Sequence, residues 1–184
     1  MALTESNMMD LGTTAPSFEL PNTLSGENLS LHQGRGDNGT VVIFSCNHCP
    51  YVIHVNSELI AVANDYKNKG INFILISSND VVNYPQDSPD KMKILGEKLG
   101  YPFPYLYDET QEVAKAYEAA CTPDIFLFDD ELKLYYRGRL DGSRPGNDVP
   151  LSGADLRNAI NGLLEGNEPP AKQYPSAGCN IQWK

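Results

Sequence analysis

Tryptophan is almost missing from this chain: among 184 residues, only Trp183 carries an indole. Positive charge is scarce as well, with 14 Lys and Arg against 24 Asp and Glu and a formal net charge of −10. That balance repels phosphate backbones and anionic headgroups, so nucleic acid and membrane surfaces are excluded as expected partners. No apolar run approaches the roughly 20 residues that a membrane-spanning helix needs. The opening residues, Met1-Ala2-Leu3-Thr4-Glu5-Ser6-Asn7, have no basic region leading into an apolar segment, so the expected location is the cytoplasm. Cysteine is sparse too. Four of them cannot make a disulfide scaffold for a chain of this size, which leaves catalysis or metal binding as their use.

Two of the four stand close together, in Phe44-Ser45-Cys46-Asn47-His48-Cys49-Pro50-Tyr51. The apolar run before them, Val41-Val42-Ile43-Phe44, reads as a buried strand, and the pattern after them reads as an amphipathic helix. A Cys-x-x-Cys at a strand-to-helix turn is a redox motif. At a helix start, residues three apart share a face, so the two sulfurs can approach and bond. The unpaired N–H groups and positive dipole end of the helix favour thiolate over thiol. The expected division of labour makes Cys46 the exposed, low-pKa nucleophile and Cys49 the resolving thiol. Pro50 fits the first helical turn, where no N–H is required. His48 is the candidate tuning residue. An imidazole that stabilises the thiolate stabilises the reduced form and makes the disulfide more oxidising.

A chain of this length reads as one domain, residues 1–184, with enough residues for a real core. Residues 1–12 read as a flexible leader and residues 166–184 as a tail packing on the domain. Phe18 and Leu20, then Leu29 and Leu31, flank a Gly-containing turn and predict a small hairpin. Gly34 to Gly39 reads as a polar loop; its Arg35-Gly36-Asp37 is a chance match to an integrin-binding tripeptide. The strand at residues 40–45 is followed by a helix burying Val52, Val55, Leu59, Val62 and Tyr66, which stops at Gly70. Residues 71–77 form a second core strand, and residues 79–87 a loop. Ser88-Pro89 opens a helix ending near Gly100. Residues 104–107 are a short strand. Asp108-x-x-Gln111 reads as a capping box opening a helix through Val113, Ala116 and Tyr117. Two strands, residues 125–128 and 132–136, turn at Asp129-Asp130-Glu131 into an antiparallel hairpin. Ser152-x-x-Asp155 opens the last helix, and Asp141-Gly142-Ser143-Arg144-Pro145 is a turn. Early strands alternating with helices predict parallel pairing, and the closing hairpin adds antiparallel neighbours.

That order, with Cys-x-x-Cys after the first core strand and Thr122-Pro123 before the closing hairpin, resembles the thioredoxin fold. Ala15-Pro16-x-Phe18-x-Leu20-Pro21 and the hairpin resemble the N-terminal extension of the redoxin group, which includes the AhpC/TSA peroxiredoxins and TlpA-like proteins. The Cys46-to-Tyr51 motif, Thr122-Pro123-Asp124 and Gly178-Cys179 together resemble a bacterial thioredoxin-like family in that group. The resemblance spans residues 12 to 184. It implies an α/β fold with a central mixed sheet flanked by helices and an N-terminal β-hairpin extension. It implies that Pro123 is cis and faces the redox cysteines, and that Thr122 and Pro123 bind substrate, Thr122 through backbone hydrogen bonds to an extended peptide. The Asn47-His48 dipeptide replaces the Gly-Pro of thioredoxin. His next to the second cysteine resembles protein disulfide isomerase and DsbA, and implies a less reducing couple than thioredoxin's.

The departures are specific. Ser45 stands where thioredoxins carry Trp before the first cysteine. Residues 40–45 hold no buried acid, and Tyr51 and Val52 occupy the stretch where TlpA-like proteins carry a glutamate. The proton acceptor for Cys49 is unassigned, with Glu58 and Asp124 as candidates. The peroxiredoxin pattern Pro-x-x-x-Thr-x-x-Cys is missing: Gly39 and Ile43 precede Cys46 at those spacings, and Val42 and Cys46 precede Cys49.

The expected activity is thiol–disulfide exchange through Cys46 and Cys49, with a disulfide substrate and a thiol reductant as partners and neither metal nor organic cofactor. The alternatives are a thiol peroxidase and a non-catalytic or zinc-binding module. For zinc, Cys46, Cys49, His48 and His54 offer ligands, but no second paired ligand motif appears. Cys121, beside the Thr-Pro element, and Cys179, near the tail, are candidate extra thiols; for Cys121 a small buried core residue is the simpler reading.

Overall fold

A computed structural model describes residues 2–184, so Met1 of the expected leader lies outside the described residues. Strand β1 (Leu3–Glu5) comes first. β2 (Glu19–Pro21) and β3 (Asn28–Ser30) pair as the predicted antiparallel hairpin, with Leu20 opposite Leu29. A one-turn helix, α1 (Leu31–Gly34), follows within the stretch read as hairpin end and loop. Ser30 and Gln33 close a reciprocal capping box on it. β4 (Gly39–Phe44) is buried along its whole length. α2 (Pro50–Tyr66) gives way to a 3-10 turn that ends at Gly70, the predicted stop, with φ +76°. β5 (Ile71–Ser77) matches its predicted span, and α3 (Pro89–Leu99) starts after Ser88 and ends at Gly100 with φ +66°. Then come β6 (Tyr105–Tyr107), α4 (Glu112–Ala116), β7 (Cys121–Thr122), β8 (Asp124–Asp129), β9 (Leu134–Gly138), α5 (Ala154–Leu164) and β10 (Ala177–Asn180).

The central sheet runs β6-β5-β4-β8-β9. β4, β5 and β6 are parallel, whereas β8 and β9 run antiparallel to their neighbours. This is the mixed sheet that the alternation of strands and helices predicts. Successive residues of β4 point to opposite faces. Val41 and Ile43 join Leu59 of α2 and Leu156 and Ile160 of α5 in one core, while Val42 and Phe44 join Phe18, Leu31 and Tyr117 in the other. Each such fully buried side chain contributes roughly 1.5–3 kcal/mol. Between the layers, Arg137 and Asp124 form a fully buried ion pair at 3.2 Å.

A second sheet, β1-β10-β7, is antiparallel throughout. It corrects the reading of residues 1–12 as a flexible leader, and it gives the C-terminal tail a strand that packs on the domain. Leu3 of the stretch expected as a flexible leader pairs with Cys179, and Cys179 pairs on its other side with Thr122. The strand order changes at Pro123, which has no N–H for a ladder. Before it, β7 belongs to the small sheet; after it, β8 enters the central one.

Two predicted capping boxes are replaced by longer-range caps. Gln111 sits in the left-handed region at φ 65°, and Asp108 accepts from the Ala114 N–H at 2.9 Å. Gly153, not Ser152, precedes α5, and Asp141 accepts from the N–H groups of both at 2.8 and 2.6 Å. The Asp141 carboxylate also shapes its own turn, accepting from the Ser143 N–H at 2.8 Å. Gly36 of the Arg35-Gly36-Asp37 turn packs against the backbone of Gly39 and Gly70. Among the described residues, no helix is long and apolar enough to cross a membrane.

Candidate active site

The Cys-x-x-Cys loop joins the C-terminal end of β4 to α2. Cys49 is the N-cap of that helix, and its carbonyl accepts from the Val52 and Ile53 N–H groups at 3.0 Å each. Cys46 stands three residues ahead, outside the helix. The pair is therefore held by a loop and a cap rather than by one helical face. Neither thiol is exposed: Cys46 retains 1% of its surface and Cys49 none. The expected open nucleophile is instead enclosed by residues 84–87 on one side and β10 on the other.

Asp87 organises the first side. Its carboxylate accepts from the Asn47 backbone N–H at 2.8 Å and from the Asn79 amide at 2.9 Å, and lies 2.6 Å from Nδ1 of His48. The His48 ring stacks on Tyr84, with centroids 5.7 Å apart. Asn47 donates to the Gln86 carbonyl and accepts from the Tyr105 hydroxyl, both at 2.9 Å. Sequence reading placed Asp87 in an anonymous loop; a lone acid before Ser-Pro carries no local signal of this role.

Thr122 organises the second side. Its hydroxyl lies 3.6 Å from Sγ of Cys46, and its carbonyl accepts from Sγ of Cys49 at 3.3 Å. The Thr122–Pro123 peptide is cis. The backbone of Thr122 is already paired with Cys179 of β10. The edge expected to take an extended substrate is thus filled by the chain's own strand. Sγ of Cys179 lies 2.8 Å from Sγ of Cys49, and Cys46, Cys49 and Cys179 share one buried cluster with Val52 and Tyr51.

Of the two loop thiols, Cys49 is the one shifted towards the thiolate and Cys46 the one shifted away from it, the reverse of the expected order. The hydrogen bond from Cys46 draws Cys49 down to about 5 against the effect of burial, and bonds from Cys179 and Thr122 assist. Cys46 is held well above its ordinary value by that shared hydrogen bond, then by burial, then by the charge of Asp87. Burial and the bond to Cys49 push Cys179 up to about 12. The physical reason is position. Cys49 caps a helix N-terminus beside the sulfurs of Cys46 and Cys179, while Cys46 faces a carboxylate.

The remaining candidates lie elsewhere. Cys121 donates weakly to the carbonyls of Pro123 and Ser176, at 3.6 and 3.9 Å, and burial raises its pKa. Glu58 is bound by Arg157 at 2.8 Å, and Asp124 is bound by Arg137 through Oδ2 while its buried Oδ1 has no partner. His54 is tied to the Ser143 hydroxyl at 2.8 Å. Cys46, His48 and Asp87 bring one thiol, one imidazole and one carboxylate within 4.8 Å of one another. Both oxygens of Asp87 already accept from protein groups.

Comparison with known proteins places this geometry in context. A family model described as the AhpC/TSA family matches residues 11–137. Thiol-disulfide oxidoreductase ResA of Geobacillus kaustophilus is 28% identical over 127 residues, covering 68% of this chain and 67% of that protein. An uncharacterized conserved protein from Geobacillus kaustophilus, solved by crystallography, shares 56% identity and superposes with a TM-score of 0.98 over 100% of this chain and 97% of that one. The thioredoxin domain of a thiol-disulfide oxidoreductase from Bacteroides vulgatus superposes with a TM-score of 0.66 at 21% identity, over 85% of this chain and 99% of that one, and shows the shared thioredoxin-like fold.

Proposed function

The chain belongs to the AhpC/TSA family, and from that premise we propose that it is a thiol–disulfide oxidoreductase working through Cys46 and Cys49. The observation that carries this reading is the convergence of both thiols on Thr122, beside a cis proline, with Sγ of Cys46 3.6 Å from its hydroxyl and Sγ of Cys49 bonded to its carbonyl.

Exchange begins when the Cys46 proton passes to the neighbouring sulfur of Cys49 in the same buried cluster. The Cys46 thiolate attacks one sulfur of a substrate disulfide, whose S–S bond breaks as the mixed disulfide forms. The departing substrate sulfur takes a proton from solvent. Cys49 then attacks Sγ of Cys46, and its proton passes to the departing second substrate sulfur. The second substrate thiol is released, and Cys46–Cys49 is left oxidised. A thiol reductant reverses these steps, and neither metal nor organic cofactor enters them. Nδ1 of His48 lies 2.6 Å from the Asp87 carboxylate, and that contact draws on the charge that opposes a thiolate on Cys46. Because β10 fills the Thr122 edge, a small or flexible disulfide fits the site better than a peptide that must add as a strand.

The test is reduction of a model disulfide by dithiothreitol, followed with wild type, Cys46→Ser and Cys49→Ser. Cys46→Ser should lower the rate at least ~100-fold, the scale on which losing a covalent nucleophile is felt. A Cys46→Ser protein as fast as wild type sinks the proposal.

A further inference from the structure

Three thiols, not two, meet at this site. Cys49 is central: Cys46 packs with it in one buried cluster, and Cys179 lies 2.8 Å away on β10. β10 is not a loose tail. Its Ala177 and Cys179 pair with Glu5 and Leu3 of β1 on one edge, and its Cys179 and Asn180 pair with Thr122 and Cys121 of β7 on the other. The ladder continues through the Ile181 N–H, which donates to the Ala120 carbonyl at 3.1 Å. Beyond it, the Gln182 carbonyl accepts from the Asp80 N–H and the Gln111 amide, at 2.8 and 3.0 Å.

The residue before Cys179 makes this approach feasible. A Cβ on Gly178 would collide with the Thr122 carbonyl and press on Tyr51 of α2. Glycine lets the strand slide between the helix that carries Cys49 and the strand that carries Thr122. Cys179 is thereby delivered to the sulfur of Cys49, on the backbone edge where a substrate strand would otherwise lie.

We propose that Cys179 is a second exchange partner of Cys49, so that the oxidised protein rests as a Cys49–Cys179 disulfide. This rests on the oxidoreductase reading and extends it. Once the Cys46–Cys49 disulfide has formed, the sulfur of Cys179 attacks Sγ of Cys49. The Cys46–Cys49 bond breaks as the Cys49–Cys179 bond forms, and the proton of Cys179 passes to the departing Cys46. One disulfide and one thiol stand on each side of the step, so no oxidant or reductant is consumed. The product ties β10 covalently to the start of α2 and leaves Cys46 as a thiol beside His48 and Asp87. The C-terminal strand then serves as a resident substrate, holding the oxidising equivalent until an external thiol attacks the Cys49–Cys179 bond.

The experiment equilibrates wild-type protein and Cys179→Ser in reduced and oxidised glutathione buffers of stepped potential. Samples are acid-quenched, free thiols are alkylated, and linked peptides are mapped by mass spectrometry. Wild type should yield predominantly the Cys49–Cys179 linkage with Cys46 alkylated, and Cys179→Ser should revert to Cys46–Cys49. Wild type that yields predominantly Cys46–Cys49, with Cys179 alkylated, overturns this proposal and leaves the oxidoreductase intact. No linkage among the three at any potential overturns both.

Discussion

Asp87 touches the Cys46 loop through Asn47 and His48 at once, and its charge helps to hold the Cys46 thiol above its ordinary pKa. His48 is what stands between that charge and the sulfur chemistry. Replacing His48 with Ala leaves the carboxylate unscreened beside the pair, so the thiolate-bearing reduced form is weakened. The midpoint potential should then fall, by about 30 mV for each tenfold loss in stability of the reduced form. Titration in dithiothreitol buffers measures it, and an unchanged or higher midpoint removes His48 from the couple. Sequence reading reached His48 from its place beside the second cysteine. It did not reach Asp87, which bonds Asn47 across 40 residues of chain.

At the scale of elements, β10 is the strand that the pattern rules miss. Ala177-Gly178-Cys179-Asn180 has no alternation of apolar and polar residues and no β-branched side chain. It is extended because two partner edges, β1 and β7, are ready to pair with it. Gly178→Val should therefore push β10 off β7, at a cost of about 1–3 kcal/mol in stability. Cys179 should become quick to alkylate in the native protein, while Cys121→Ser leaves it slow. Cys179 as protected in Gly178→Val as in wild type would show that the close approach to Thr122 is not what seats the strand. The central strands tell the opposite story. β4 and β5 are continuous apolar runs between turn signals, so their residues alone announce them.

Across the whole molecule, the thiols set a pH dependence of stability. Cys49 ionises in the fold near 5, well below a cysteine in the unfolded chain, so the unfolded state holds more protons between about pH 5 and 9. Stability from this group rises with pH across that window and is lost as pH falls through 5. Cys46, Cys121 and Cys179 behave oppositely. Their folded values are raised, so above about pH 9 the unfolded chain sheds protons that the fold keeps, and stability falls. The melting temperature of the reduced protein should climb from pH 5 towards 8 and drop above 9, with the climb reduced in Cys49→Ser. Melts that keep rising past pH 9.5 would contradict the raised thiols.

The mixed sheet, the hairpin, the main helices and the order of the Cys-x-x-Cys and Thr-Pro motifs are legible in the residues alone. These are local features: periodicity, apolar runs, and Gly or Pro at element ends encode them within a few residues. Long-range packing is what buries the thiols, sets Asp87 beside Cys46, shifts Cys49 towards the thiolate and returns Cys179 to it across 130 residues. Those outcomes depend on which distant groups are packed against a sulfur. Burial and neighbouring donors act through space, and spacing along the chain does not record them.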